Sequence, residues 1–289
     1  MIDESRMGQR RGLVRQLFTA LGLLLSSVAP ASSQPAGSGP NDGAVHFTGA
    51  FDVPSVYVFR GIVQESDPKL TMFPAGDLAI ALGSGEGAVK SVGVNFGTWH
   101  SLQTGSSGSD GISGRLHYEE DFYATLGLGF GGGFSFGTTF TAYTSPNNMF
   151  NTVQEISLKL SKTHFVNPYG IVAFELDGAA DATDDGTGTY LELGVGPTFP
   201  LGSSRATLTV PLKVGLSLSD YYQLDGEDNA FGFFDIGGLV TLPLGVPSRF
   251  GSWNIHGGAD VYVFGDTTKA INSGDSSKVV GSIGIGVSY

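Results

Sequence analysis

From Ala206 to Ser219 apolar and polar positions alternate almost without interruption. Ala206, Leu208, Val210, Leu212, Val214, Leu216 and Leu218 fall on one parity, and Thr207, Thr209, Pro211, Lys213, Gly215, Ser217 and Ser219 on the other. Successive side chains of a strand point to opposite faces, so this stretch predicts a strand with one oil-compatible face and one polar or small face. A helix would scatter the same residues around its circumference, and Pro211 would break it. Proline also removes a ladder donor, so irregular pairing is expected at Pro211.

The same period recurs at Val92, Val94 and Phe96; at Phe134, Phe136 and Phe140; at Ile156, Leu158 and Leu160; and at Val172, Phe174 and Leu176. It continues at Leu191, Leu193 and Val195, at Ile255, Ala259, Val261 and Val263, and from Val279 through Ile283 and Ile285 to Tyr289. Counting every such run predicts about twelve strands, each near the roughly 9–11 residues that a tilted strand needs to cross hydrocarbon. The connections alternate in length. Short ones are expected near residues 83–88, 129–133, 163–167 and 200–204, with a longer one near 244–252 on the same side. Stretches rich in Gly, Ser and Asp at 101–114, 178–188, 220–230 and 265–278 lie on the other side. Short periplasmic turns and long external loops are the habit of outer-membrane barrels. The fold expected is therefore all-β: a closed, antiparallel, up-and-down transmembrane β-barrel with an even strand count and its amino end periplasmic. Its last strand, ending in Tyr289, resembles the signal read by the barrel-assembly machinery. Trp99, Tyr143, Tyr169, Tyr221, Tyr222, Trp253 and Phe264 fall near predicted strand ends, where amphipathic rings are expected at the membrane interface.

Composition agrees with many short strands joined by turns: 45 Gly, 20 Phe and 10 Tyr in 289 residues, only 15% charged side chains, and a mean hydropathy of +0.09. The absence of cysteine excludes disulfides, thiolate metal sites and a lipoprotein anchor. Arg6, Arg10, Arg11 and Arg15 precede the apolar run Leu17 to Val28, and Ala29-Pro30-Ala31 supplies a small-residue cleavage pattern. Residues 1–33 are thus expected to be a signal peptide, 34–44 a Pro- and Gly-rich flexible lead, and 45–289 the barrel. Beyond the leader no apolar run is long enough for a membrane helix, so membrane residence requires a closed barrel. Removing the leader leaves 11 basic and 25 acidic side chains, a net charge near −14, which argues against nucleic acid as a partner.

Val56-Tyr57-Val58-Phe59-Arg60-Gly61-Ile62, expected in the first strand, resembles the opening motif of the TorF-type porins of proteobacterial outer membranes. Gly97-Thr98-Trp99 with Ser101, Glu119 with Asp121, Tyr143 before Ser145-Pro146, Glu155, and Tyr190 with Glu192 follow in a compatible order. The resemblance covers residues 56 to 192. It implies an outer-membrane barrel and leaves the solute open.

With the apolar parity facing lipid, Asp52, Glu119, Asp121, Glu155, Glu175, Asp177, Glu192, Asp235 and Asp260 face the lumen, together with Arg60, Lys159, Lys213, His117 and His256. Acids outnumber bases, and rings of carboxylates favour cations. A small passive pore for cations or small polar solutes is one expectation. The other is a lumen filled by hydrogen-bonded side chains, making a structural or surface-interaction barrel. Eight strands can be filled and sixteen leave a channel, so twelve falls between. Arg60 is either a constriction residue or the partner of a lumenal carboxylate. The acidic stretches Asp177, Asp181, Asp184, Asp185 and Asp220, Asp225, Glu227, Asp228 lack calcium-loop spacing and read as solvated loops. Gly133-Phe134-Ser135-Phe136-Gly137 matches a hydrolase nucleophile pattern but lies in an alternating strand, not at a strand-to-helix elbow. A lipid enzyme would need a nucleophile beside a histidine on the lipid face, and Ser135 falls on the other parity. Gly127-Leu128-Gly129-Phe130-Gly131-Gly132 has no helix after it to hold a dinucleotide and reads as a tight turn. No catalytic, cofactor or metal site is expected; the partners expected are outer-membrane lipids, the assembly machinery and small ions or polar solutes.

Overall fold

A computed structural model describes residues 41, 43–65, 67–108, 111, 115–178 and 187–289. The expected signal peptide, nearly all of the lead, and Asp181, Asp184 and Asp185 lie outside these residues. The alternating runs form twelve strands: β1 (Val45–Pro54), β2 (Thr71–Ser84), β3 (Val89–Gln103), β4 (His117–Phe130), β5 (Phe134–Thr144), β6 (Val153–Lys162), β7 (Tyr169–Asp177), β8 in two segments (Thr189–Val195 and Thr198–Pro200), β9 in two segments (Thr207–Thr209 and Leu212–Ser219), β10 (Phe231–Pro243), β11 (Ser252–Phe264) and β12 (Ser277–Ser288). Each strand pairs antiparallel with its sequence neighbour, and β12 pairs back onto β1 from Thr48 opposite Ser288 to Pro54 opposite Ser282. The sheet is thereby a closed barrel. Among the described residues no helix is long and apolar enough to cross a membrane.

Alternation sorts the side chains as the pattern requires. Phe96, Phe122, Leu126, Leu160, Leu193, Val279 and Ile283 are exposed on the outer face, whereas Glu119, Asp121, Glu155 and Asp235 are buried inside. The irregularity expected at Pro211 is present: β9 breaks there, opposite a break in β8 at Gly196-Pro197. Val210 N–H donates to the Pro197 carbonyl at 2.9 Å and Gly237 N–H to that of Pro211 at 3.0 Å, so the ladder is bridged. The short connections fall at 85–88, 131–133, 163–168, 201–206 and 244–251, all at one end. Gly127 and Gly129 belong to β4, and the tight turn is confined to Gly131–Gly133.

Two expectations are corrected. The stretch Val56 to Ile62 is not part of the first strand. β1 ends at Pro54, and the following chain turns back into the barrel from the long-loop end as a small hairpin, Val58–Phe59 against Ile62–Val63. The sequence of this stretch agrees in retrospect, since Val56, Tyr57, Val58 and Phe59 are an unbroken apolar run, each at most 4% exposed. A segment buried on every side has no reason to alternate. The aromatics are also redistributed. Trp99, Tyr143, Tyr221, Tyr222 and Phe264 are buried in the interior rather than set in an outer belt, and Tyr169 reaches the lumenal Glu192. Trp253 remains at the short-turn rim, where its indole N–H donates to the Phe250 carbonyl at 2.8 Å. Exposed rings near that rim include Phe47, Phe134, Phe165, Phe199, Phe250 and Tyr289.

If this outer face lies in hydrocarbon, Leu126→Arg destabilises the barrel by about 2–4 kcal/mol. Denaturant titration of the protein folded into lipid vesicles checks this, with Thr125→Arg on the lumenal parity as the comparison.

Candidate functional site

The interior is organised around the hairpin. At its tip Arg60 and Gly61 adopt positive φ, 42° and 82°, which makes the two-residue turn. A Cβ on Gly61 would also meet the Phe233 ring at 2.9 Å, so both the conformation and the space call for glycine. The turn delivers the Arg60 guanidinium to Glu155 on the facing wall. Nη1 donates to Oε2 at 2.8 Å and Nη2 to Oε1 at 2.9 Å, a two-pronged charge-assisted pair. Nη1 also donates to the Tyr221 hydroxyl at 2.8 Å, and the guanidinium lies 4.2 Å from the centre of the Tyr190 ring. Burial acts to lower the Arg60 pKa, but the Glu155 carboxylate opposes it and the net displacement is upward.

The hairpin backbone is held as firmly. Tyr222 donates its hydroxyl proton to the Arg60 carbonyl at 2.8 Å. Asn272 donates to the Gly61 carbonyl at 2.8 Å and accepts from Val63 N–H at 2.9 Å. Tyr57 packs among Phe73, Trp99 and Tyr118, with ring centres 5.1, 5.4 and 6.4 Å away. At the hairpin's return, Glu65 accepts from Ser106 Oγ at 2.8 Å and from Ser107 N–H at 2.9 Å, and also meets the Ser107 hydroxyl. Glycines make room in the wall for the rings: a Cβ on Gly215 would fall 2.2 Å from Phe233, and one on Gly232 would fall 2.0 Å from Tyr222.

Most of the sequence-predicted lumen residues are inside. Glu119 and Asp121 are fully buried on β4. Lys213 pairs with Asp235 at 3.0 Å, and Glu192 accepts from the Tyr169 and Tyr190 hydroxyls at 2.8 and 2.7 Å. Lys159 sits 5.1 Å from the Tyr169 ring centre, and Asp260 lies against Gly237. Asp52 accepts from His256 at 2.6 Å. Glu175 accepts from the backbone N–H of Gly188, just ahead of β8, at 2.6 Å.

Two of the predicted lumen residues are elsewhere. Asp177 ends β7 and is exposed. His117 belongs to the outer face, because the β3–β4 register shifts between Ser101 opposite Glu119 and Leu102 opposite His117. The extra residue, Tyr118, is buried together with Glu119, so counting by twos fails across it. Of the hairpin's partners, Tyr221 and Tyr222 were expected at the membrane interface and Tyr190 entered only through the family resemblance, while Glu65 and Asn272 were not among the sequence candidates. The unbroken run Val56 to Phe59 before Arg60-Gly61 was the one signal for them.

No known protein family matches the chain, and no curated protein matches it by sequence. Similar solved structures are outer-membrane barrels. Outer membrane phospholipase A from Escherichia coli is 12% identical over 84% of this chain and 92% of its own, with a TM-score of 0.44. The translocator domain of the autotransporter NalP from Neisseria meningitidis is 12% identical over 98% of this chain and 97% of its own, with a TM-score of 0.40. A porin refined at 1.8 Å is 10% identical over 85% and 99%, with a TM-score of 0.33. The likeness is confined to barrel architecture.

Removing one partner of a buried ion pair leaves an uncompensated charge, so Arg60→Ala should lower stability by about 3–5 kcal/mol. Arg60→Lys should recover only part of this, since an ammonium cannot make the two-pronged contact. Thermal unfolding of the detergent-folded protein checks both, and an unchanged midpoint in Arg60→Ala would remove the clamp from the account.

Proposed function

We propose that this chain is an outer-membrane channel kept closed by its own first loop: the hairpin at 56–63 is the closing element, and the Arg60–Glu155 clamp is its latch. The observation that carries the reading is the two-pronged pair between a loop tip and the opposite barrel wall, 95 residues apart in sequence. A loop that only covered the barrel mouth would gain nothing from carrying a guanidinium into a desolvated interior. The preference for cations rests on the remaining wall, where Asp52, Asp77, Glu192, Asp235 and Asp260 outnumber Lys159 and Lys213. The opening motif of the resemblance to TorF-type porins falls on the closing hairpin, and membership of that family belongs to the proposal. So do export through the inner membrane, insertion by the assembly machinery through the strand ending at Tyr289, and a passive, non-enzymatic role.

Planar-bilayer recording tests the reading. Wild type is expected to be silent or to open briefly, whereas Arg60→Ala and Glu155→Gln raise the open fraction at least about tenfold, with potassium preferred over chloride. Heat-modifiable gel migration confirms that each variant is a folded barrel. Steady wild-type conductance equal to that of the variants would dismiss the latch, and anion preference would dismiss the acidic path. A folded variant lacking residues 57–62 that stays silent would point to a structural or surface-interaction barrel instead.

A further inference from the structure

The lumen accounts for the buried charges but not for a polar group on the outside of the wall. On β3, Trp99 and Ser101 are buried inside, so Thr98 and His100 between and beside them point outward. On β4, the inward Glu119 and Asp121 leave Glu120 outward, and the bulge at Tyr118 turns His117 to the same side. The result is a patch of two imidazoles and a carboxylate at the long-loop end of β3 and β4, just beyond the exposed Phe96 and Phe122 of the apolar band.

His100 Nδ1 and His117 Nε2 are 3.1 Å apart, and Glu120 Oε1 is 3.6 Å from the same His100 nitrogen. One ligand atom from each of the three residues lies within 4.8 Å of the others. Two nitrogens each about 2.0–2.1 Å from a tetrahedral ion sit roughly 3.3 Å apart, so the imidazoles already hold nearly the spacing an ion requires. The other face of His100 is also occupied: its Nε2 lies 3.1 Å from Thr98 Oγ1. When Nε2–H donates to that hydroxyl, the lone pair is left on Nδ1, towards His117 and Glu120. Hydrogen bonding of the remote ring nitrogen is how metal-ligating histidines are usually oriented.

The same atoms do not make a hydrolytic triad. A carboxylate 3.6 Å from Nδ1 is beyond hydrogen-bond reach, and Nδ1 faces another imidazole at closer range.

We infer that His100, His117 and Glu120 form a binding site for a divalent transition-metal ion of the zinc class on the outer face of the barrel, with Thr98 as the residue that orients His100. Two imidazoles select against magnesium and calcium, which take oxygen ligands. Three protein ligands leave a further position open to water. Because the ligands come from two neighbouring strands, the ion staples β3 to β4 beside the root of the 104–116 loop, and it does so without touching the lumen.

Isothermal titration of the detergent-folded protein with Zn²⁺, paired with thermal unfolding, tests the site. One Zn²⁺ per chain is expected, with an unfolding midpoint that rises in Zn²⁺ and does not move in Mg²⁺ or Ca²⁺. His100→Ala and His117→Ala should each weaken binding by about 100-fold or more and abolish the rise, and Glu120→Gln should weaken it by about tenfold. Thr98→Val should cost about tenfold while Thr98→Ser retains affinity, which separates orientation by the hydroxyl from mere packing. All five changes lie on the outer face, and midpoints in chelator equal to wild type would show that folding is unaffected. Co²⁺ gives a second readout, since its visible absorption reports imidazole ligation directly. Absence of saturable Zn²⁺ binding in the wild type, or binding unchanged in the doubly substituted His100→Ala, His117→Ala protein, would overturn the inference.

Discussion

In hydrocarbon a backbone N–H or C=O finds no partner except another backbone group, and every other feature of this chain follows from meeting that requirement with strands. A sheet satisfies it only when its edges meet. Here β1 and β12 supply the closure, and Phe47 and Tyr289 exchange backbone bonds of 2.7 and 2.8 Å at the seam. Where proline removes a donor, in the paired breaks of β8 and β9, carbonyls of the prolines themselves accept from Val210 and Gly237. Closure also fixes the two environments. Each strand has one side for lipid and one for an enclosed interior, and the interior must be wet or filled.

In this barrel a loop enters the space that the twelve strands enclose. The hairpin brings Val56, Tyr57, Val58 and Phe59 into contact with aromatics from the surrounding wall. Carrying Arg60 into the same space incurs a desolvation cost of several kcal/mol, which only good geometry can offset. The geometry is good: a two-pronged carboxylate, a phenol and the face of Tyr190 surround the guanidinium. Tyr222 and Asn272, one on each of two different long loops, then hold the backbone of the turn. The hairpin is therefore tied to strand β6 and to both of those loops at once, as the proposed latch requires.

A single backbone irregularity links the two sides of the wall. The bulge at Tyr118 adds one residue to β4, so Tyr118 and Glu119 both turn inward and His117 turns out. The inward consequence is a ring packed against Tyr57, which steadies the hairpin. The outward consequence is the approach of His117 to His100. A change in one residue's parity thus supplies both the packing of the plug and the proposed metal ligand.

Period-two alternation by itself determined the number of strands and their lipid-facing residues, because these depend only on which side of a strand each residue occupies; the length and composition of the connections set short turns against long loops, and the missing N–H of Pro211 marked the break there. Alternation also placed Glu119, Asp121, Glu155, Lys159, Glu175, Glu192, Lys213, Asp235 and Asp260 within the barrel. Only the tertiary structure decided where Val56 to Ile62 goes, since a segment surrounded by protein carries no alternation, and a continuous apolar run fits a strand or a plug equally well. Only the structure drew Trp99, Tyr143, Tyr221 and Tyr222 inward, because an aromatic near a strand end suits a membrane rim or a filled lumen alike. Only the structure moved His117 across the wall, for a bulge shifts parity without a mark in the sequence. Local pattern is enough for a strand's two faces; what fills the space between distant strands depends on the closed shape they make together.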